Sequence, residues 1–323
     1  MTIRQTFSRP NALIALLCLA FGQTALAAPP GAQSCGSQPL ALQILGSGGP
    51  EATDRAGPAY LLWMDGKARL LIDAGPGARL RLGEAGGRME DLEAIFLTHL
   101  HADHANDLPA LVKAAYFTPR SRRLDIVGPG GNAAMPGTRR WLATLFGPEG
   151  YRYLAGHLAH DHGEDFPLRG INVDPANPKV REVWRSGDLV VRAAAVPHGP
   201  IPALAYRVEG PGFVVAVSGD TSGDGPGQAA LEQLAAGATV FIAHHAIPES
   251  AGPAARRLHM APSRLGAIAG AARPAELVLS HRMTRTLGQE NETGALIRKA
   301  YTGPLRFAED LDCLPLGPSP RRP

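Results

Sequence analysis

A dense histidine motif is the part of the sequence best able to do chemistry. Its pattern, H-x-H-x-D-H, is formed by His99, His101, Asp103 and His104. Neutral imidazole and carboxylate groups are ligands that suit zinc, manganese or iron. An apolar run at 92–97, which predicts a buried strand, precedes the motif, and residues 106–109 after it predict the start of a helix. A loop between strand and helix can turn several side chains towards one point, so the motif predicts a metal site.

Three further polar residues could complete such a site. Each stands at the end of a predicted apolar strand, and they are His198, Asp220 and His281. A lone histidine at a strand end is usually structural, but the order of His198 after the histidine motif and before Asp220 favours a ligand role. The carboxylate of Asp220 can bridge two metal ions. The chain therefore holds enough ligands for more than one ion.

These segments together resemble the metallo-β-lactamase superfamily, and most closely its ribonuclease Z and arylsulfatase-like branch. The resemblance covers nearly the whole chain after residue 27. The matching segments follow the expected order along the chain, at 45–49, 71–75, 99–104, 196–198, 218–221 and 277–281. His259, which lies 22 residues before His281, is the additional feature of that branch. In the first segment, tight loop geometry is a better interpretation of the glycines than a phosphate-binding loop.

The resemblance implies the fold and the ligand set. The fold would be a four-layer αβ/βα sandwich of the α/β class, with two mixed sheets, outer helices and metals at one edge. The cofactors would be two divalent ions, with Zn²⁺ preferred and Mn²⁺ or Fe²⁺ as alternatives. The residues of the first ion would be His99, His101 and His198. The second ion would be held by Asp103, His104 and His281, and the shared ligand would be Asp220.

The resemblance also implies a mechanism of ester hydrolysis. A water between the two ions would become a hydroxide near neutral pH, and Asp103 would orient it. His259 would donate a proton to the leaving group, which matters most for a poor leaving group such as an alkoxide. This favours a phosphodiester. The alternatives are sulfate esters, lactones or β-lactams, and, in another class, a non-catalytic periplasmic metal-binding protein.

Three further residues are expected to support the site. Asp73 ends a predicted strand, and the resemblance makes it a carboxylate that orients a ligand. An Asx turn at 74–77 is the alternative. His244 and His245 follow a strand at 239–243, where the family often has an acidic residue. We expect them to line the pocket or to hydrogen-bond to His259, whereas the alternative is one strand cap and one solvent-facing side chain.

The sequence leads us to expect a small-molecule ester and not tRNA. Only 22 residues separate His198 from Asp220, too few for the long tRNA-gripping arm found there in tRNA-processing members of the branch. The chain has 32 basic and 29 acidic residues and no long basic run, so no nucleic-acid-binding surface is evident. The resemblance allows a homodimer, because relatives are often dimers, and leaves the oligomeric state open.

The first residues predict a secretory signal peptide. Arg4 and Arg9 precede an apolar run at 12–22, and a small-x-small site at 25–27 predicts cleavage before Ala28. The run is too short for a stable membrane anchor. The expected compartment is therefore the periplasm or the exterior. Of the three cysteines, Cys35 and Cys313 lie after the cleavage site. In an oxidising compartment a disulfide between them is favoured over two free thiols.

Residues 28–323 are predicted to form one hydrolase domain with an insertion at about 105–185. The insertion, with helices expected at 108–117 and 137–146, would shape the substrate pocket. The insertion also carries His157, His160 and His162. We interpret their segment as an exposed loop, and the alternatives are a lid over the pocket or a further metal site.

Overall fold

The computed structural model describes residues 35–159 and 166–317. The predicted signal peptide at 1–27 lies outside these residues, as do His160 and His162. Cleavage before Ala28 therefore stays a prediction. Within the described ranges, no helix combines the length and the apolar character that crossing a membrane requires.

The first sheet starts from a hairpin that the sequence predicts. Its strands are β1 (Leu40–Gly46), β2 (Ala59–Met64), β3 (Lys67–Ile72), β4 (Ala94–Phe96), β5 (Leu124–Pro129), β6 (Leu168–Val173) and β14 (Cys313–Pro315). Asp65 and Gly66 join β2 to β3 with φ of 49° and 75°, the left-handed pair that a tight hairpin needs. The spatial order is β14-β1-β2-β3-β4-β5-β6, antiparallel from β14 to β3 and parallel from β3 to β6.

The second sheet repeats this mixed arrangement. Its strands are β7 (Arg181–Ser186), β8 (Leu189–His198), β9 (Ile201–Gly210), β10 (Phe213–Val217), β11 (Val240–His244), β12 (Leu277–Ser280) and β13 (Leu305–Phe307). The order is β13-β12-β11-β10-β9-β8-β7. Strands β7 to β10 pair antiparallel, and β10 to β13 pair parallel.

Helices cover the outer faces of both sheets. They are α1 (Ala78–Glu84), α2 (Ala102–Ala105), α3 (Leu108–Tyr116), α4 (Thr138–Leu145), α5 (Pro226–Ala235), α6 (Pro253–Arg256), α7 (Pro262–Ala272) and α8 (Glu290–Ile297). Alternate residues of β3 show the layering: Leu71 packs with α3 in the outer core, whereas Leu70 and Ile72 pack between the sheets. On the far side, α5 and α7 pack against the second sheet. The predicted four-layer αβ/βα sandwich is confirmed.

The segment predicted as an insertion at about 105–185 is largely part of this framework. Strands β5 and β6 extend the first sheet in parallel from β4, and β7 forms the edge of the second sheet. The interpretation as an insertion is wrong for these strands, because their backbone hydrogen bonds complete the two sheets. The expected helices at 108–117 and 137–146 are present as α3 and α4.

A disulfide ties together the two ends of the described chain. Cys35 and Cys313 are bonded, with their Cα atoms 5.4 Å apart. Cys313 begins β14, which pairs with β1, so the bridge anchors the last strand at the edge of the first sheet. The favoured pairing of these cysteines is therefore present.

Candidate metal centre

The polar residues converge where parallel strands of both sheets end. Asp73 follows β3, the histidine motif follows β4, and Asp220 follows β10. His244 is the last residue of β11, and His281 comes directly after β12. Carboxyl ends of neighbouring parallel strands share one edge, where α/β folds place their ligands. The two sheets thus bring distant parts of the chain to one edge, called here the metal edge.

Asp73 fixes the loop that carries the histidine motif. Its Oδ1 accepts a hydrogen bond from the Thr98 backbone N–H (2.7 Å), and its Oδ2 accepts one from the Thr98 hydroxyl (2.9 Å). The same Oδ2 lies 2.8 Å from Nδ1 of His104. Asp73 is fully buried and adopts a φ of 58°, a left-handed conformation that this network holds in place. With Nδ1 engaged, His104 turns its Nε2 to the metal edge.

The first ligand group is a cluster of three imidazoles. Nε2 of His99 lies 2.9 Å from Nδ1 of His101, which lies 3.4 Å from Nε2 of His198. Nitrogens bound about 2.0–2.1 Å from one tetrahedral zinc lie about 3.3–3.4 Å apart, so the spacing is close to that of shared ligands. His198 directs its Nδ1 to the Leu258 carbonyl (2.9 Å), which leaves Nε2 for the cluster. Burial lowers the pKa of His99 and His198 and favours the neutral, ligating form.

Asp220 stands at the centre of the metal edge. Its Oδ2 lies 3.4 Å from Nε2 of His281, 3.7 Å from Nε2 of His104 and 3.9 Å from Nε2 of His198. Nδ1 of His259 is also 3.7 Å away. One carboxylate oxygen thus faces both predicted ligand groups. Burial opposes ionisation of Asp220, but the neighbouring imidazoles of His281 and His104 hold its pKa well below the usual value.

Asp103 belongs to the second predicted ligand group and contacts its two histidines. Its Oδ2 is 3.2 Å from Nε2 of His281 and 3.4 Å from Nε2 of His104. Burial alone would raise the pKa of Asp103, but its contacts with His104 and His281 keep it well below the ordinary value. The carboxylate is therefore ionised at neutral pH, as a ligand or water-orienting group must be.

Two buried imidazole nitrogens test whether the cluster fits a metal. Nε2 of His104 and Nδ1 of His281 are buried and lack a hydrogen-bond partner. A buried polar atom without a partner costs about 1–3 kcal/mol. For Nε2 of His104 the cost is removed by a cation at the metal edge, where that atom faces Asp103 and Asp220. The donor set of imidazoles and carboxylates suits a divalent ion, so the residues fit the implied cofactor.

The glycine-rich segment packs against one of the candidate ligands. A Cβ on Gly49 would lie 2.8 Å from Cε1 of His281, and Gly48 forms a β-bridge with Arg282. The glycines therefore allow close backbone approach to the His281 ring. His281 itself adopts a φ of 57°, which is unusual for a residue with a side chain. This close packing agrees with the tight-loop interpretation of the segment.

His244 supports Asp220 from behind. Nδ1 of His244 lies 2.8 Å from Oδ1 of Asp220, and Nε2 lies 2.8 Å from the Tyr60 hydroxyl. An ionised carboxylate can only accept, so Nδ1 donates and Nε2 accepts from Tyr60. The Ser280 hydroxyl is 3.0 Å from that of Tyr60. Both nitrogens of His244 are engaged in this arrangement, which orients Asp220. Its ring atoms also fall within ligand range of His104 and His281.

The expectation for His245 is wrong. It is fully buried, with Nε2 3.2 Å from the Thr293 hydroxyl and its ring against Phe307. Consecutive residues at a strand end point to opposite faces of the sheet. His244 therefore turns to the metal edge, while His245 packs into the core beside α8. It neither lines the pocket, nor bonds to His259, nor faces solvent.

His259 lies between α6 and α7, beside the metal edge. Its ring centroid is 5.5 Å from that of His198. It helps to line a cavity of about 370 Å³, together with Arg256 and Arg264. Burial lowers the pKa of His259 to about 4, so the imidazole is neutral at pH 7 before substrate binds. His259 therefore stands between the ligand cluster and this cavity.

His157 is structural. Only 1% of its surface is exposed, and its Nδ1 donates to the Phe166 carbonyl at 2.8 Å. Its ring packs on that of Phe166, with centroids 4.3 Å apart. The predicted exposed loop is therefore wrong for this histidine, because a turn of 3₁₀ helix at Arg152–Leu158 carries it into the core.

Comparisons with known proteins agree with this geometry. A beta-lactamase superfamily domain matches residues 68–282. Ribonuclease Z of Mycolicibacterium paratuberculosis is 32% identical over an alignment of 291 residues that covers 84% of this chain and 96% of that protein. The solved structure of human tRNase Z, short form, has a TM-score of 0.65 at 21% identity and covers 85% of this chain and 98% of its own. The metallo-beta-lactamase fold protein YhfI from Bacillus subtilis gives 0.66 at 19% identity, with coverage of 85% and 98%.

These relatives correct the expected substrate. The expectation of a small-molecule ester, with tRNA unlikely, is wrong, because relatives named ribonuclease Z match almost their whole length. A short interval between His198 and Asp220 therefore does not exclude tRNA. Net charge was also a poor guide, since it averages over the whole surface and says little about one local patch.

Proposed function

The chain belongs to the metallo-β-lactamase superfamily, in its ribonuclease Z branch, and from that premise we propose that it cleaves phosphodiester bonds of RNA. It is a metal-dependent hydrolase of phosphodiester bonds. The observation that carries the proposal is the position of Asp220. One of its oxygens faces imidazoles from both ligand groups, as a shared ligand of two ions would.

Two divalent ions, with zinc preferred, would be held by this cluster. The first would bind His99, His101 and His198. The second would bind Asp103, His104 and His281, and both would contact Asp220. Bound ions of this kind supply Lewis acidity towards a phosphate oxygen and lower the pKa of a shared water to near neutrality.

The chain's own groups orient water and move the proton. Asp103, ionised and about a tenth exposed, can accept a hydrogen bond from the attacking water and align it with phosphorus. His259 faces a cavity that also contains two arginines, which can attract the anionic phosphate. That phosphate charge raises the low pKa of the His259 imidazole. The protonated ring can then give its proton to the departing oxygen.

Hydrolysis of bis(p-nitrophenyl) phosphate tests the phosphodiesterase activity. We expect the zinc- or manganese-loaded protein to turn it over and Asp220→Ala to lose that activity. The matched control is His157→Asn, which also replaces a buried histidine. The asparagine amide can keep the hydrogen bond to the Phe166 carbonyl. No turnover by a wild-type protein that holds two ions would overturn the proposal, as would equal loss in both variants.

A tRNA that carries unpaired extensions tests the substrate class. We expect the wild-type protein to cut it at a defined site, which gel analysis of end-labelled RNA would locate. Cleavage that persists in Asp220→Ala would indicate a contaminating nuclease. If bis(p-nitrophenyl) phosphate is hydrolysed and no RNA is cut, the substrate is another phosphodiester and the RNA proposal fails.

The role of His259 is tested with leaving groups of different basicity. An acid helps an alkoxide more than an activated phenolate, with typical effects of about 10²–10⁴-fold. His259→Ala should therefore lower RNA cleavage far more than hydrolysis of the nitrophenyl ester. An equal reduction for both substrates would assign His259 to metal binding, since its ring atoms also lie within ligand range of His198 and Asp220.

We also propose that the protein is exported and cleaved before Ala28. The apolar segment after Arg4 and Arg9 supports this, and so does the Cys35–Cys313 disulfide, which suits an oxidising compartment. Mass spectrometry of the protein from separated cell fractions should find a chain that starts at Ala28 outside the cytoplasm. An intact N-terminus in the cytoplasmic fraction would contradict export.

A further inference from the structure

Four aromatic side chains form an exposed surface outside the metal edge. Tyr116 is the last residue of α3, Phe117 follows it, and Tyr151 and Tyr153 lie on the segment after α4. Their exposed fractions are 51%, 76%, 46% and 66%, in that order. Among the described residues, Leu80 on α1 is the one other large hydrophobic side chain that is exposed. Concentration of exposed aromatic surface in one place marks an interaction site.

Lys113 connects the two aromatic pairs, and the five residues together are called here the aromatic platform. Its Nζ lies 4.1 Å from the ring centroid of Tyr116, 4.8 Å from that of Phe117 and 5.5 Å from that of Tyr153. Tyr116 and Phe117 are nearly perpendicular at 85°, and Tyr151 and Tyr153 at 88°. The rings therefore offer separate faces to a ligand and do not stack closed on one another.

A cavity of about 620 Å³ opens beside this platform. Three platform rings and Lys113 line it, together with Arg79 and Asn106. Its described lining includes two cations and no carboxylate. The charge therefore complements an anion, and the Asn106 amide can donate and accept hydrogen bonds, as the edge of a nucleobase requires.

We propose that the aromatic platform binds an unpaired stretch of RNA, with bases stacked on its rings and phosphates beside Lys113 and Arg79. Aromatic faces next to cations are how proteins hold single strands, since every base has a face that can stack. The inference rests on the proposed function. Asn106 of the cavity lining lies two residues after His104 in the sequence, so the cavity is lined by the segment that directly follows the histidine motif.

A second copy of this chain fits the platform less well. In a two-fold interface the same patch meets itself, which would bring Lys113 and Arg79 against their own copies. Lysine is also depleted at the centres of protein interfaces, whereas Lys113 is central here. Both difficulties disappear when the partner is a polyanion with flat bases.

Binding of a short fluorescent oligouridylate measures the stacking directly. The measurement is fluorescence anisotropy on the full protein, with EDTA to stop turnover. Phe117→Ala and Tyr153→Ala should each raise the Kd by about 5- to 100-fold. Phe117→Tyr should restore it, because the ring face remains. The control is Leu80→Ala, which removes another exposed apolar side chain that has no ring and should leave the Kd unchanged.

Salt dependence separates the cation from the rings. Lys113→Ala should reduce the slope of log affinity against log salt by about 0.7, the contribution of one phosphate contact on a single strand. Lys67→Ala, which removes an exposed lysine of the β2–β3 hairpin, should not change it. Equal slopes in both variants would overturn the phosphate contact.

The platform and the proposed function fail in different ways. Platform variants should raise the KM for RNA cleavage and leave hydrolysis of bis(p-nitrophenyl) phosphate unchanged. Unaltered RNA affinity in every platform variant would overturn the platform alone. A wild-type dimer that Phe117→Ala dissociates in analytical ultracentrifugation, without any change in RNA affinity, would assign the surface to a second copy. Binding without cleavage by the metal-loaded protein would refute the RNase function only.

Discussion

Two buried aspartates show how a functional cluster differs from a structural one. Asp125 on β5 accepts hydrogen bonds from Arg123 (2.8 Å), from Arg169 (2.9 and 2.7 Å) and from the Trp184 indole (3.0 Å), so both of its oxygens have donors. Asp220 is as deeply buried, yet His244 holds only its Oδ1. Its Oδ2 is surrounded by imidazole nitrogens at 3.4–3.9 Å.

The difference lies in what each cluster still needs. Two of the three donors to Asp125, Arg123 and Arg169, carry positive charge, and all three point at the carboxylate, so the cluster is complete as it stands. Around Oδ2 of Asp220, burial lowers the pKa of His198 and His259 and favours neutral rings, and the Nε2 atoms of His104, His198 and His281 face the same space as this carboxylate oxygen. Such a cluster is completed by a cation. An under-satisfied buried cluster is therefore the better guide to function.

The largest effect should come from removing the charge at the centre of the metal edge. Asp220→Asn keeps the size of the side chain but loses the shared anionic ligand. Metal affinity, measured by isothermal titration, should fall by more than the roughly 100-fold that loss of an outer partner costs. Unfolding followed by circular dichroism would check that the variant is folded. A variant that still binds two ions tightly would show that Asp220 is no more of a ligand than Asp125.

A smaller loss is expected when the support of one ligand is weakened. Asp73→Asn replaces the acceptor of His104 Nδ1 and removes one of its bonds to Thr98. Metal affinity should fall by about 10- to 100-fold. Excess metal should then restore turnover of bis(p-nitrophenyl) phosphate. If saturating metal restores nothing, the loop itself has collapsed and Asp73 has a purely structural role like that of Asp125.

The support behind Asp220 should matter less again. Tyr60→Phe removes the hydroxyl that donates to Nε2 of His244 and so loosens the ring that holds Asp220. We expect metal affinity to fall by no more than about 10-fold. The control is Tyr301→Phe, because that buried hydroxyl donates instead to the Pro274 carbonyl. The same affinity in both variants would exclude a positioning role for Tyr60.

The convergence of His99, Asp220 and His281 at one edge could be predicted from the sequence, because each of them stands at the end of a strand. His99, Asp220 and His281 each follow an apolar run, and carboxyl ends of parallel strands share an edge, so local patterns define a common place. The four-layer fold was predicted from the family resemblance that these same segments carry. The direction of a single side chain was not: His245 turns into the core because residues of a strand alternate, and nothing in the pair His244–His245 says which one faces the ligands.

The aromatic platform and the Asp125 cluster escaped prediction because each joins separate segments. Phe117 and Tyr153 stand on different elements, and no periodicity relates them. Arg169 and Trp184 meet Asp125 from β6 and β7, strands that the sequence suggested were part of an insertion. The expectation that tRNA is unlikely failed for a related reason, since overall charge does not describe how individual cations such as Lys113 and Arg79 are placed. Contacts between segments depend on tertiary packing, which spacing alone does not encode.

The smallest effect on activity, and a clear effect on stability, should come from Asp125→Asn. Burial by itself would raise the pKa of Asp125, but hydrogen bonds from Arg169, Arg123 and Trp184 outweigh it and lower the pKa in the folded state. A lowered folded pKa stabilises the protein above the ordinary value of 3.8, and that stability is lost as pH falls through the folded pKa. The variant should be about 1–3 kcal/mol less stable at pH 7, because an amide nitrogen replaces one of the two oxygens that accept from Arg123, Arg169 and the buried Trp184 indole.

Urea unfolding of wild type and Asp125→Asn at a series of pH values measures this directly. The difference in free energy of unfolding should be constant near neutral pH and shrink below about pH 4, where the wild-type carboxyl takes up its proton in the unfolded chain. Metal affinity and turnover of bis(p-nitrophenyl) phosphate should stay at wild-type levels. A stability difference independent of pH would show that Asp125 acts by packing alone, and a loss of metal affinity would remove the distinction between a complete cluster and one that awaits a cation.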